Sequence, residues 1–359
     1  MINAPLIDAR ETIESRLSKK EWDKFFNIMN GYVYTQTMAA ACEFGLFDYL
    51  QENPGASAAE ICKALDFRKI DARVFLLACC STELIERDPI TFGYHNSKIS
   101  EAVLTTSNPK NMVPLVKYTH DVKEKCGIYL QESLKEGHNV GMEKLFPGEG
   151  TTIYERFTNY PDVEKSLAGA VSIYSELSWA SADVTELGQI TEILDVAGGN
   201  GTNAIRMCRQ FPNLKVTVLD FPSVIEIARK NIEEHGLSDR ITCVGKDMFN
   251  EEWPTGKEAV LLSHLVEIFP IESVEKLYAK AHAALRDSGR MFVWTTTANE
   301  LETGGYEAAK LSLYFFTASS GEGMTYTVED HRRTVKSIGF KEFRTYAADF
   351  DHTLVVAEK

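Results

Sequence analysis

The stretch DVAGGNGT, Asp195 to Thr202, decides the reading of this chain. It follows the apolar pair Ile193 and Leu194 and precedes a helical-looking segment from Asn203 to Gln210. Strand, glycine loop and helix in that order bring backbone close to a bound cofactor. Gly198, Gly199 and Gly201 remove side chains that a ligand would meet and permit positive φ in the turn. A second strand, Lys215 to Leu219, leads to Asp220, where a carboxylate can accept hydrogen bonds from both hydroxyls of a ribose. From Gly199 the pattern runs GxGxxA, with Ala204 in the third place. Such a loop suits either a dinucleotide or an adenosine ligand without phosphates, such as S-adenosylmethionine.

From Ile190 onward the chain alternates strand and helix. Strands are expected at 191–196, 215–219, 241–245, 259–263 and 290–297, then around Glu342–Ala347 and Thr353–Ala357. The helix in YTVEDHRRTVKSIGF, Tyr326 to Phe340, should stop at Gly339. The fold class is α/β, a Rossmann-like doubly wound sheet whose ligand lies at the carboxyl ends of the strands, near the switch point.

The N-terminal part reads differently. Residues 21 to 50 look helical, with Phe25, Phe26, Met29, Tyr32, Val33 and Met38 at helical spacing. Ser57 and Glu60 form a capping box opening a helix from Ala58 to Leu65. A second helix runs from about Ile70 to Ser81, and LIERDPITFGYHNS, Leu84 to Ser97, reads as a hairpin turning at Asp88 and Pro89. Helix, turn, helix, hairpin makes a winged-helix module over residues 1 to 110. A helical connector follows over 111 to 182, broken near Phe146, Pro147 and Gly148, and the Rossmann-like domain occupies 183 to 359.

Winged helices often bind DNA, but this one has only Lys69 and Arg73 near the start of its second helix, which is otherwise apolar and expected to be buried. The net charge of −14 also argues against a phosphate-backbone partner. Hydrophobic content of 44% and charged content of 25% suit a soluble globular protein. No membrane span, signal peptide, disulfide framework or zinc spacing is visible, and the expectation is a cytoplasmic protein with seven scattered, reduced cysteines.

Taken together, DVAGGNGT, LDFPSVIEIA (Leu219 to Ala228) and GKDMF (Gly245 to Phe249) resemble class I methyltransferases of the small-molecule O-methyltransferase family. The resemblance runs from about Phe25 to the C-terminus. It implies S-adenosyl-L-methionine as cofactor, a homodimer built on the winged-helix module, and methylation of a hydroxyl on a small aromatic or polyketide-like secondary metabolite. Residues implied at the cofactor are Asp195, Gly198, Gly199, Gly201, Asp220, Phe221, Asp247, Met248 and Ser263. Asp247 is placed to accept from the adenine amine, Phe221 to cover the ring, and Tyr174 to reach the methionine end. Family members carry a general-base histidine after the fourth strand; in SHLVEIFP, Ser263 to Pro270, that place belongs to Glu267. His264 stands three residues earlier. No metal is expected, since no paired-histidine spacing surrounds these two. The catalytic candidates are Glu267 and His264, and the departure leaves C- or N-methylation, or a reaction without methyl transfer, as alternatives.

Overall fold

The computed structural model describes residues 17–156 and 159–359, apart from the side chains of residues 172, 174, 176 and 177. The chain divides into two compact units between His120 and Asp121.

In the first unit the expected helical stretch over 21 to 50 is three helices, Lys19–Met29, Gly31–Glu43 and Leu46–Glu52. Asn30 closes the first of them, and Gly45 turns the chain at φ 66° ahead of the third, a left-handed conformation that glycine adopts without penalty. The Ser57–Glu60 capping box forms: the Glu60 amide donates to Ser57 Oγ at 3.3 Å and the Ser57 amide to Glu60 Oε2 at 2.8 Å. Helices Ala58–Ala64 and Lys69–Ser81 follow, then the hairpin of β1 (Ile85–Arg87) and β2 (Tyr94–Asn96). Asp88 Oδ1 accepts from the Ile90 and Thr91 amides to shape the turn. Leu46, Phe47, Leu50, Ile61, Leu76, Cys79 and Ile85 make the core. One expectation fails. The second helix of the pair buries Ala72, Leu76 and Cys79, but Ile70, Val74 and Leu77 face outward. Its apolar residues are spread around the helix, so one set cannot reach the core of its own unit.

The second unit begins with short helices, Lys125–Gly127, Leu130–Glu136, Val140–Leu145 and Ile153–Arg156, then the long helix Pro161–Trp179. The sheet follows, with β3 Glu192–Val196, β4 Lys215–Asp220, β5 Ile241–Gly245, β6 Lys257–Ser263, β7 Leu285–Thr296, β8 Glu342–Ala347 and β9 His352–Glu358. Strand order is β5-β4-β3-β6-β7-β9-β8. The first five strands are parallel and β9 pairs antiparallel with both neighbours. Strands β3 and β6 are adjacent, while successive crossovers leave them in opposite directions. The switch point therefore lies at their carboxyl ends, which is where this architecture places its ligand. Both faces of the middle strands are covered, so β3 and β6 are near-continuous apolar runs, buried from Ile193 to Val196 and from Ala259 to Leu262. Strand β7 starts at Leu285, earlier than its pattern suggests, because a register shift opposite Lys257 and Ala259 extends the pairing through a polar stretch. Helix Val328–Ile338 ends at Gly339, whose φ is 105°. Among the described residues no helix is long and apolar enough to cross a membrane.

Candidate active site

The glycine loop leaves β3 through Ala197, at φ 54°, and the three glycines do different work. Gly199 and Gly201 have φ of 57° and 80°, but Gly198 does not lie in the left-handed region. A Cβ on Gly198 would stand 2.7 Å from Asp195 Oδ2 and 3.0 Å from Val218, so this glycine is required by packing beneath the loop. A Cβ on Gly201 would crowd Ile232 at 3.3 Å. Only Gly199 faces open space, with no atom within 4 Å of an added Cβ. The expectation that all three turn through positive φ is corrected at Gly198.

Asp220, the last residue of β4, holds this loop. Its Oδ2 accepts from the Gly199 amide at 2.8 Å and its Oδ1 from the Phe221 amide at 2.7 Å. Burial raises its carboxyl, while those two amides oppose the rise. Phe221 is 39% exposed at the start of helix Pro222–Glu234. Asp195 is buried, and neither of its oxygens has a hydrogen-bond partner among the described residues. Burial, reinforced by the neighbouring Asp220 charge, pushes it up to about 7. An orphaned buried carboxylate beneath a glycine loop fits a ligand that brings positive charge.

Asp247 is engaged in its own turn. Its Oδ1 accepts from the Phe249 and Asn250 amides and its Oδ2 from the Asn250 side chain at 2.9 Å. It shapes the GKDMF turn, and any contact with an adenine must share oxygens already in use. Met248 is half-buried, with its carbonyl held by Trp253 Nε1 at 2.8 Å. Ser263, at the end of β6, accepts from Asn203 Nδ2 at 3.1 Å and so ties β6 to the helix that follows the glycine loop. The side chain of Tyr174 lies outside the described residues.

Beyond Ser263 the backbone turns sharply. His264 has φ 50°, unusual for a residue with a side chain, and its amide donates to the Trp294 carbonyl at 2.8 Å. This turn and the 3₁₀ segment Val266–Ile268 bring His264 Nδ1 to 3.5 Å from Glu267 Oε1. The other Glu267 oxygen accepts from Thr295 Oγ1 at 2.8 Å. Glu267 is only 1% exposed. Burial works against its charge, but the His264 ring and the Thr295 hydroxyl outweigh it and hold the carboxyl below its ordinary range. His264 Nε2 is buried and has no hydrogen-bond partner among the described residues. The His264 ring packs edge-on against His352 at 5.1 Å, and His352 stacks on Trp294 at 5.2 Å. Burial, then the neighbouring His264, lowers His352 to about 4, so it faces His264 uncharged at neutral pH. Sequence reasoning missed this pairing, although a spacing of three residues suits a tight helical turn. Among the described residues no group of acidic, histidine or cysteine side chains is arranged to hold a metal.

The seven-stranded sheet, with a glycine loop at its switch point and a carboxylate at the end of β4 holding that loop, has a class I methyltransferase architecture. Comparison with known proteins then places the chain. Residues 128–341 match the O-methyltransferase domain model and residues 26–106 the O-methyltransferase dimerisation domain model, and the chain belongs to this family. It is an S-adenosylmethionine-dependent small-molecule methyltransferase. Among its relatives, the L-tyrosine C(3)-methyltransferase of Streptomyces lavendulae is 28% identical over 92% of this chain and 91% of that protein. The 3-hydroxy-5-methyl-1-naphthoate 3-O-methyltransferase of Streptomyces sahachiroi is 27% identical over 89% of each. The apo crystal structure of the S-adenosylmethionine-dependent methyltransferase SibL superposes with a TM-score of 0.78 at 28% identity, covering 94% of this chain and 98% of that one.

Proposed function

We propose that the protein methylates the hydroxyl oxygen of an aromatic acceptor, with His264 as general base and Glu267 as the carboxylate that orients it. One observation carries this reading: Glu267 stands on Nδ1 of His264 while Nε2 is buried and unpartnered among the described residues. A carboxylate on Nδ1 keeps the ring proton there, which leaves the Nε2 lone pair to take a proton from the acceptor. Glu267 held below the ordinary carboxylate range is a poor proton acceptor and a good orienting charge. The base function thus moves from position 267 to the histidine it faces.

S-adenosylmethionine, when bound, supplies an electrophilic methyl carbon. The residues proposed to hold it are Gly199 and Asp220 at the ribose, Phe221, Asp247 and Met248 about the adenine, and Asp195, Ser263 and Tyr174 toward the methionine end. The protein's share is to hold the acceptor oxygen close to the methyl carbon and in line with the bond that breaks.

Transfer to the ring carbon beside the hydroxyl is the second reading. It is favoured by the replacement of the family's base histidine by Glu267 and by the tyrosine C(3)-methylating relative. Incubating the enzyme with methyl-labelled cofactor and a set of phenols separates the two. A labelled methyl ether is expected; a labelled aryl methyl group would establish the second reading, and no label in any phenol would reject both.

The first unit supports a homodimer. Helix Lys19–Met29 buries none of its residues, and Phe25, Ile28 and Met29 are 51%, 72% and 55% exposed, beside a Trp22–Phe25–Phe26 ring cluster. So large an apolar face calls for a partner. Light scattering is expected to give twice the chain mass, and Ile28→Asp with Met29→Asp to halve it. A wild-type monomer would overturn this reading.

A further inference from the structure

Residues Thr119–Glu124 form a π-helical turn, a wider winding that often marks functional sites. Its Lys123 is half-buried, with the ammonium 4.9 Å from the centre of the Tyr314 ring. The Tyr314 hydroxyl lies 3.2 Å from that of Tyr154. Tyr154 in turn lies within range of the Glu267 charge, which adds to burial in raising its hydroxyl. One turn before Tyr314 on helix Tyr306–Ala318, Lys310 is ion-paired with Glu307. Burial, and then the Lys310 charge, brings Lys123 down to about 8 against the pull of Glu307. Lys123 lies against the Tyr314 ring and Lys310 one helical turn from it, so the two ammonium groups are neighbours. Helix Tyr306–Ala318, which carries Lys310 and Tyr314, packs against the Val266–Ile268 segment that carries Glu267.

We propose that the acceptor is an aromatic carboxylic acid, whose carboxylate is held by Lys123 and Lys310 while its hydroxyl meets His264. This rests on the methyl-transfer reading above and names the substrate class for it. A carboxylate set between two mutually repelling ammonium groups relieves that repulsion and forms charge-assisted hydrogen bonds with both. Glu307 beside the pair repels a dianion more strongly than a monoanion, which favours a carboxylate over a phosphate. The Tyr154 and Tyr314 rings beside the pair suit an aromatic acceptor.

Binding of hydroxylated aryl acids tests this, each paired with its own primary amide, in the presence of saturating demethylated cofactor. The pairs cover benzoic, naphthoic and arylalanine skeletons. At least one acid is expected to bind ~10–10²-fold more tightly than its amide, the range for hydrogen bonds to a charged group. Lys123→Met and Lys310→Met should each shrink that ratio while leaving affinity for the demethylated cofactor and the amide unchanged, which also shows that the variants fold. No acid preference in any pair, including no binding at all, overturns the proposal, as does a ratio that survives both substitutions. Labelled methyl transfer to acid and amide alike would keep the methylation reading and sink this one. Acid-selective binding without transfer to any acceptor would do the reverse.

Discussion

His264→Asn is expected to lower methyl-transfer turnover by ~10²–10⁴-fold, the usual contribution of a general base, with cofactor affinity unchanged. Asparagine is the right replacement because position 264 has φ 50°, and asparagine tolerates that region better than most side chains. Glu267→Gln should be comparably damaging by a different route. Its amide can still accept from Thr295, but the end facing His264 then donates to Nδ1 and forces the ring into the tautomer that blocks Nε2. Since the two act as one unit, the double variant should be little worse than either single one. Steady-state kinetics decides among the roles. If Glu267→Gln abolishes turnover while His264→Asn spares it, the carboxylate is itself the base. If Glu267→Gln raises KM for the acceptor and leaves kcat intact, Glu267 recognises substrate and the dyad assignment is wrong.

Asp220→Asn should weaken cofactor binding by roughly a hundredfold, measured by titration calorimetry with the demethylated cofactor. Asp220 uses one oxygen for the Gly199 amide and the other for the Phe221 amide. Asparagine keeps a single acceptor, so one of those amides would meet an NH₂ group and the loop would lose a tie. It also loses the charge that strengthens hydrogen bonds from a ribose. At saturating cofactor much of the turnover should return, because Asp220 is remote from the proton-transfer pair in role. Unchanged affinity would show that the ribose is read elsewhere.

Much of the architecture was legible because its signals are local. The strand–glycine loop–helix unit, the Ser57–Glu60 cap and the Gly339 stop are each written within a few residues, and the sheet strands fall where the sequence places them, apart from the early start of β7. The outward face of helix Lys69–Ser81 was misread, since an apolar residue does not announce whether it packs inside its own unit or presents itself to a partner. The place of Asp220 at the end of β4 could be read from spacing, but the separate task of Gly198 depends on where Asp195 and Val218 point. The His264–Glu267 approach depends on one residue in a left-handed conformation, which no periodicity encodes. Lys123, Tyr154 and Tyr314 come together across long stretches of chain, and only tertiary packing shows them as neighbours.

The sheet order has a further meaning for how the enzyme comes into being. β9 follows β8 in the chain but lies between β7 and β8, so β8 cannot join the sheet until β9 has been laid against β7. His352 is the first residue of β9 and supplies the ring against which His264 packs. The cofactor loop, built on β3 and β4, needs none of this. The cofactor loop thus depends on strands at the middle of the sheet, and the backing of the base on the strand that must be in place before β8 can pair.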